Sequence, residues 1–312
     1  MLFDMPLERL REYRPEPEEP ADFDAFWDKT LGEAARHGLD AEFVPYEAGF
    51  TTVDVYDVTF NGWGGQPVKA WLVLPRVRSG PLPAVVQYIG YNGGRGIPYS
   101  WLTWSALGYV HLVMLGHGGP RPGRHGSSSP GFLTRGIEDP YRHYYRRLIT
   151  DAVRAVDAVK AHGAVDSSRV AVLGGSQGGG LALAVAGLRD DVAAAVADVP
   201  FLCHFRRASQ ITDSGPYAEI ARWLSGHRFR TEEAMETLSY FDGVNFAARA
   251  TAPAWLSVGL MDRICPSSTV FAAYHAYAGP AELEVFTYNG HEGGAEYDLP
   301  RKLGALRGVF GQ

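Results

Sequence analysis

Cysteine is nearly absent from this chain: 312 residues carry only Cys203 and Cys265, enough for at most one disulfide and without CxxC spacing. The reading that follows is two free thiols in a reducing compartment, in a chain held together by its core. Long apolar runs are also missing; the longest are strand-sized, far short of the roughly 20 residues that span a bilayer. There is no basic excess either, since 29 Lys and Arg stand against 35 Asp and Glu, a net charge of -6. Surfaces that bind phosphate backbones are basic, so neither a nucleic-acid nor a membrane partner is expected. The adjacent arginines Arg146-Arg147 and Arg206-Arg207 read as salt-bridged surface pairs rather than anion sites. The opening Met1-Leu2-Phe3-Asp4 runs at once into Glu8, Arg9 and Arg11 and lacks the apolar region of a signal peptide, which predicts a soluble, cytoplasmic protein. HExxH, EF-hand spacing and a GxGxxG opening a helix are all missing, so no metal and no cofactor are expected.

What is present is a normal globular composition, with 46% hydrophobic and 21% charged residues, sufficient for a large core without metal or disulfide. The length suits one α/β domain built on one sheet. After a Pro/Glu-rich lead (Pro15 to Pro20), Asp22-Phe23-Asp24-Ala25-Phe26-Trp27 begins a helix with acidic residues in its first turn, and Gly38 is a plausible stop. From Ala41 to Pro75 the pattern alternates: Val53, Val55, Val58 and Phe60, then Val68, Ala70, Leu72 and Leu74. The turn cluster Asn61-Gly62-Trp63-Gly64-Gly65 lies between, predicting an antiparallel pair.

Beyond Pro75 the rhythm becomes strand, loop, helix. Buried strands are expected at Ala84 to Tyr88, Tyr109 to Leu115, Val170 to Leu173, Val192 to Ala197, Ala254 to Val258 and Leu283 to Phe286. Helices are expected at Tyr144 to His162, Gly179 to Leu188, Thr269 to Ala278, and from about Glu296 to the end. This alternation predicts a mainly parallel sheet covered by helices on both faces, with the Ala41–Pro75 pair as its antiparallel edge. Ser127-Ser128-Ser129 reads as a flexible loop. Residues 200–250 break the rhythm and are expected to form a cap-like insertion over the carboxyl ends of the strands, where open α/β sheets bind ligands.

The chemistry sits at Gly174-Gly175-Ser176-Gln177-Gly178, directly after one strand and directly before a helix. That is the setting of a G-x-S-x-G nucleophile elbow, in which small residues permit a tight, strained turn. The helix then begins at the serine, so its amides face a developing oxyanion. A serine hydroxyl needs a base, and in this fold the order is serine, acid, histidine. Of the four later histidines, His275 lies in a helical pattern and His204 and His227 fall in the insertion. His291 occupies the glycine-flanked loop after the last strand and is the candidate base. Asp262 ends the strand Ala254 to Val258 and is the candidate acid, with Asp198, which ends another strand, as runner-up. The amide of Gln177 is one oxyanion donor. The second comes from Gly90-Tyr91-Asn92-Gly93-Gly94-Arg95-Gly96, with a backbone amide and the Tyr91 side chain both open. Arg95 reads equally as a substrate contact or a structural ion pair. Pro200, Phe201, Ile264 and Cys265, on loops after two strand ends, are candidates for a small acyl pocket.

These stretches, together with Asp198-Val199-Pro200-Phe201-Leu202-Cys203, Ser239-Tyr240-Phe241-Asp242, Gly259-Leu260-Met261-Asp262 and His291-Glu292, resemble in order the acetyl xylan esterase and cephalosporin C deacetylase family, carbohydrate esterase family seven. The resemblance spans nearly the whole chain. It implies an α/β-hydrolase fold and a Ser176–Asp262–His291 triad. It also implies an oxyanion hole from Tyr91 and the Gln177 amide, small acetylated sugars and other acetates as substrates, and a cytoplasmic homo-oligomer, typically a hexamer. One departure is visible: where the family carries Arg-Gly-Gln, this chain has His117 and Gly119 in Leu115-Gly116-His117-Gly118-Gly119-Pro120. Two other readings fit the same residues: a peptidase or acyltransferase on the same fold, and a catalytically silent binding member.

Overall fold

The computed structural model describes residues 2–115 and 131–312, and in it the apolar runs assemble into a single nine-stranded sheet. The strands are β1 (Glu42–Pro45), β2 (Val53–Asn61), β3 (Pro67–Pro75), β4 (Leu82–Tyr88), β5 (Val110–Met114), β6 (Val165–Gly175), β7 (Ala194–Asp198), β8 (Ala254–Gly259) and β9 (Ala281–Phe286). Their order is β1-β2-β3-β5-β4-β6-β7-β8-β9. The alternating segments form an antiparallel edge, with Val53 opposite Pro75 and Asn61 opposite Pro67. β3 joins β5 antiparallel, and all pairs from β5 and β4 to β9 are parallel. This is the mainly parallel α/β-hydrolase arrangement that the pattern predicts. The 200–250 stretch holds four helices, Phe205–Ile211, Ala218–Gly226, Thr231–Ser239 and Gly243–Ala247, between β7 and β8.

Side-chain alternation along β4 divides the core. Ala84, Val86 and Tyr88 face a large cluster that includes Phe23, Trp27, Tyr145, Phe201 and Phe246. Val85 faces a smaller one with Trp104, Tyr109, Leu173, Leu306 and Phe310. Helices Tyr144–Lys160 and Gln177–Leu188 cover the first face, and Leu299–Phe310 packs on the second. Short strands buried on both faces read as continuous Val/Ala/Leu runs for this reason.

Three sequence expectations change. Arg146 is buried, not on the surface: its guanidinium donates to Thr30 Oγ1 (2.9 Å) and Glu33 (2.8 Å), tying helix Tyr144–Lys160 to helix Phe23–Ala35. The Ala41–Pro75 edge holds a third strand, β1, besides the expected pair, and a short helix, Leu7–Glu12, lies in a segment that the sequence pattern left unassigned. The C-terminal helix starts at Leu299 after a 3-10 turn at Ala295–Asp298, three residues later than expected. No helix among the described residues is long and apolar enough to cross a membrane. His117, Gly119 and the Ser127–Ser129 loop lie outside the described residues.

Candidate active site

The carboxyl ends of β6, β8 and β9 carry the candidate residues, with β7 between the first two. β6 ends in the elbow, and Ser176 sits at φ 55°, ψ -122°, immediately before helix Gln177–Leu188. A non-glycine residue held there stores on the order of 1–3 kcal/mol of strain, which the surroundings must impose. They do so through hydrogen bonds. The Ser176 amide donates to the Asp198 carbonyl (2.9 Å), while its own carbonyl accepts from Gly180 (3.0 Å) and Phe201 (2.9 Å). The flanking glycines are dictated by close approach: a Cβ on Gly178 would lie 2.1 Å from the Tyr88 carbonyl oxygen, and one on Gly174 would lie 2.4 Å from Gly178.

β8 leads into Asp262, which is fully buried and yet has every oxygen engaged. Its Oδ1 accepts from the amides of Ile264 (2.8 Å) and Cys265 (3.0 Å), and its Oδ2 bonds His291 Nδ1 at 2.8 Å. β9 leads into the loop of His291, whose side chain is 27% exposed, so the imidazole has one buried edge and one accessible edge. The two loops are laced together by Leu260 amide to Phe286 carbonyl (3.0 Å) and Met261 amide to Asn289 carbonyl (2.9 Å). Glu292 folds back on the same loop, accepting from Asn289 Nδ2 (3.0 Å) and the Gly290 amide; its own backbone amide first, and then these two donors, hold its carboxyl below the usual range.

The two candidate acids differ in their partners. Asp198 accepts from Ser257 Oγ (2.8 Å) and from Lys302 Nζ (2.5 Å), and His291 bonds Asp262. Gln177 is completely buried; its side chain accepts from Tyr145 (2.9 Å) and donates to the Ile89 carbonyl (3.3 Å). That side chain is thus structural, and only its backbone amide, in the first turn of the helix, suits an oxyanion.

Tyr91 departs from one of its two expected roles. Its hydroxyl donates to Glu219 (2.9 Å to Oε1, 3.0 Å to Oε2) and accepts from the amides of Gly131 (3.3 Å) and Phe132 (2.9 Å). Burial, and then Glu219, push its pKa up to about 12, so the proton stays on the phenol. The alternative that remains is the Tyr91 backbone amide. Arg95 resolves to the structural side: it pairs with Asp57 (2.7 Å), donates to the Ala70 carbonyl (2.8 Å) and stacks on Trp71 (3.9 Å). Sequence reasoning missed Glu219 and Lys302 altogether, and no local pattern marks either one.

Of the pocket candidates, Cys265 is fully buried and lies beside the Ser176 side chain. Burial raises its thiol pKa well above the ordinary value, so it is a neutral, small group beside the nucleophile. Ile264 is half-buried beside it, whereas Pro200 is buried against the elbow helix. Phe201 is fully buried and packs between Tyr91 (6.0 Å) and Tyr217 (4.5 Å), so it backs the site rather than lining it openly. Among the described residues, the group of metal-ligand types found together is Asp262, Cys265 and His291, with ligand atoms within 4.8 Å of one another. The Asp262–His291 bond already accounts for two of the three.

Known proteins resemble the chain in sequence and in fold. The sequence profile described as acetyl xylan esterase (AXE1) matches residues 1–305. An acetyl xylan esterase from a Paenibacillus species is 40% identical, with 96% of this chain and 99% of that one covered at a TM-score of 0.90. Acetyl xylan esterase 1 from a Thermoanaerobacterium species is 31% identical, covering 99% and 100% at a TM-score of 0.89. Acetyl esterase Axe7A of Xylanibacter ruminicola is 29% identical over 295 residues, 89% of this chain, which spans 65% of that protein's length. A profile match over almost every residue, on a fold that superimposes from end to end, leaves one assignment: the chain belongs to the acetyl xylan esterase family.

Proposed function

We propose that the protein is a serine carboxylic ester hydrolase that removes acetyl groups, with Ser176 as nucleophile, His291 as base and Asp262 as the carboxylate that orients it. One observation carries the reading: a serine held on a strained strand-to-helix turn, at the same sheet edge as a histidine bonded at 2.8 Å to a buried aspartate.

Ser176 Oγ attacks the acetyl carbonyl while His291 takes its proton. Asp262 accepts the Nδ1–H, which fixes the tautomer and stabilises the imidazolium. The oxyanion receives the backbone amides of Gln177 and Tyr91. Collapse expels the alcohol, which takes the proton back from His291, and leaves an acetyl-serine. His291 then deprotonates water, which attacks the acetyl-serine; collapse releases the acetyl group as the free acid, and the proton returns from His291 to Ser176 Oγ.

The substrates proposed are short acetylated sugars and other small acetates, cephalosporin C among them, without cofactor or metal. Family membership supports this, as do the acetyl esterase activities by which the relatives are named. A cytoplasmic homo-oligomer, typically a hexamer, belongs to the same proposal and rests on the resemblance alone. The test is turnover of 4-nitrophenyl acetate, acetylated xylo-oligosaccharides and cephalosporin C by the wild type and Ser176→Ala. The variant is expected to lose at least about a thousandfold in kcat. A variant keeping more than about a tenth of the wild-type rate sinks the nucleophile assignment.

A further inference from the structure

We propose that Glu219 is a positioning residue for ester hydrolysis: its carboxylate anchors the Tyr91 hydroxyl and so fixes the loop whose backbone amide, not its phenol, meets the oxyanion. This inference rests on the hydrolase reading above and adds to it a residue from outside the triad and the elbow.

The argument begins with where Glu219 stands. It belongs to helix Ala218–Gly226, in the segment between β7 and β8, 128 residues along the chain from Tyr91. The residues it holds belong to two other parts of the fold. Tyr91 follows β4, and Gly131 and Phe132 precede helix Tyr144–Lys160. Glu219 Oε1 accepts from the Tyr91 hydroxyl (2.9 Å) and from the Gly131 amide (3.1 Å), and Oε2 accepts from the same hydroxyl (3.0 Å). The phenol oxygen accepts in turn from Phe132 (2.9 Å). One carboxylate thus pins three chain segments at a single point.

The loop's other end is fixed to the nucleophile. Gln177 Nε2 donates to the Ile89 carbonyl (3.3 Å), and the helix carrying Gln177 approaches Tyr88 so closely that Gly178 can bear no side chain. Residues 89 to 91 are consequently stretched between the elbow helix at one end and Glu219 at the other. The aromatic ring is held as well, edge-on to Phe132 (5.7 Å) and Phe201 (6.0 Å). Oxyanion stabilisation depends on donors that need no reorganisation when charge develops. A hydrogen bond to a carboxylate is roughly twice as strong as one between neutral groups, which makes Glu219 a firm anchor for this purpose. The phenol proton is committed to that anion, so it is not the group that meets the substrate. Burial and Glu219 both favour the protonated phenol.

The experiment measures 4-nitrophenyl acetate hydrolysis by the wild type, Glu219→Gln, Glu219→Ala, Tyr91→Phe and the Glu219→Ala/Tyr91→Phe double variant, with melting temperatures alongside. Glu219→Ala is expected to lower kcat about tenfold or more while KM changes by less than about twofold, the signature of lost transition-state stabilisation. Glu219→Gln keeps an acceptor for the phenol and is expected to retain most of the activity. Tyr91→Phe should resemble Glu219→Ala, and the double variant should be no worse than either single change, because both act through one bond. A Glu219→Ala variant within about twofold of wild-type kcat overturns the proposal. So does a further tenfold loss when Tyr91→Phe is added to Glu219→Ala, which would put the phenol on the oxyanion directly. If Glu219→Ala does not fold, Tyr91→Phe at wild-type kcat overturns it equally. A wild-type protein inert toward every acetate ester is a different result, and removes the hydrolase reading itself.

Discussion

Gly259 and Gly290 stand back to back: a Cβ on Gly259 would lie 2.2 Å from the Gly290 carbonyl oxygen and 2.7 Å from that of Asn289. The first glycine ends β8 just before Asp262, and the second directly precedes His291. The separation of acid and base is therefore set by a backbone contact that only glycine allows. Gly259→Ala must push the two loops apart, because carbonyl groups cannot swing aside as side chains can. Overpacking of this kind costs about 1–3 kcal/mol. A misplacement of about 1 Å at a catalytic group costs about a hundredfold in rate. Gly259→Ala is expected to lower kcat by at least about tenfold while the protein still melts cooperatively. Wild-type kcat in a folded Gly259→Ala protein would show that the contact does not set the geometry.

The two candidate acids separate by the same logic. Asp262→Asn removes the acceptor that holds Nδ1–H of His291 and should cost several powers of ten in kcat. Asp198→Asn weakens bonds to Ser257 and the buried Lys302 instead, at a place where the Asp198 carbonyl also receives the Ser176 amide. Its effect should fall mainly on melting temperature, with a smaller loss of kcat. Steady-state kinetics with calorimetry on both variants decide it, and a more damaging Asp198→Asn with both proteins folded reverses the assignment.

Most of the fold was legible because each element obeys one periodicity. Val53 to Leu74 alternate as a half-buried pair must, and the run Val170 to Leu173 is apolar throughout because both faces are covered. The meeting of Ser176, Asp262 and His291 was legible because loops at strand ends are locally marked by glycine: Gly174, Gly178 and Gly259 each permit a backbone approach that any side chain would block. Glu219 and Lys302 were not legible. Each acts through a partner more than 100 residues away, and an isolated glutamate or lysine on a helix carries no local sign of it. Tyr91 was found, but the partner that occupies its hydroxyl was not, which is why both its donors stayed open. Arg146 illustrates the reverse error, because a buried ion pair and a surface one look the same in sequence.

Stability should fall on mild acidification, and three histidines account for the sign. His111, His143 and His204 have pKa values lowered to about 4, chiefly by burial. The unfolded chain takes up their protons near pH 6.5, so each destabilises the fold by about 2 kcal/mol at pH 5 relative to pH 7. Asp151 and Asp242 act the other way. Burial raises both to about 6, so the stability they contribute is present below pH 4 and lost as pH rises through 6. Between pH 7 and 5 each returns only about 1.4 kcal/mol, so the histidines win. His143 has the clearest mechanism: its Nε2 bonds the Leu133 carbonyl (3.0 Å), and its Nδ1 must stay unprotonated to accept the Tyr145 amide at the start of helix Tyr144–Lys160. Denaturant unfolding from pH 5 to 7 should show a slope reduced by about one proton in His143→Asn. An unchanged slope would show that His143 does not titrate on unfolding.

Acyl size should be set by Cys265. Its thiol lies beside the Ser176 side chain, is shut off from solvent and stays neutral, so it fills space next to the carbon under attack without competing as a nucleophile. Ile264 borders it, and both amides are tied to Asp262 Oδ1, so this wall cannot recede without disturbing the acid. Phe201, which backs the site, is wedged between Tyr91 and Tyr217 and is equally fixed. A rigid pocket of this kind discriminates by about 1–3 kcal/mol per methylene, so acetate and propionate esters should be turned over far faster than octanoate. Cys265→Ala removes one heavy atom from the wall and should raise the butyrate-to-acetate ratio of kcat/KM about tenfold, whereas Cys265→Val should lower turnover of every ester. The ratio is the informative quantity, because general damage to the acid loop slows both substrates alike. An unchanged ratio in Cys265→Ala, or wild-type turnover of octanoate equal to that of acetate, would show that the acyl group lies elsewhere and that this wall only packs the loop.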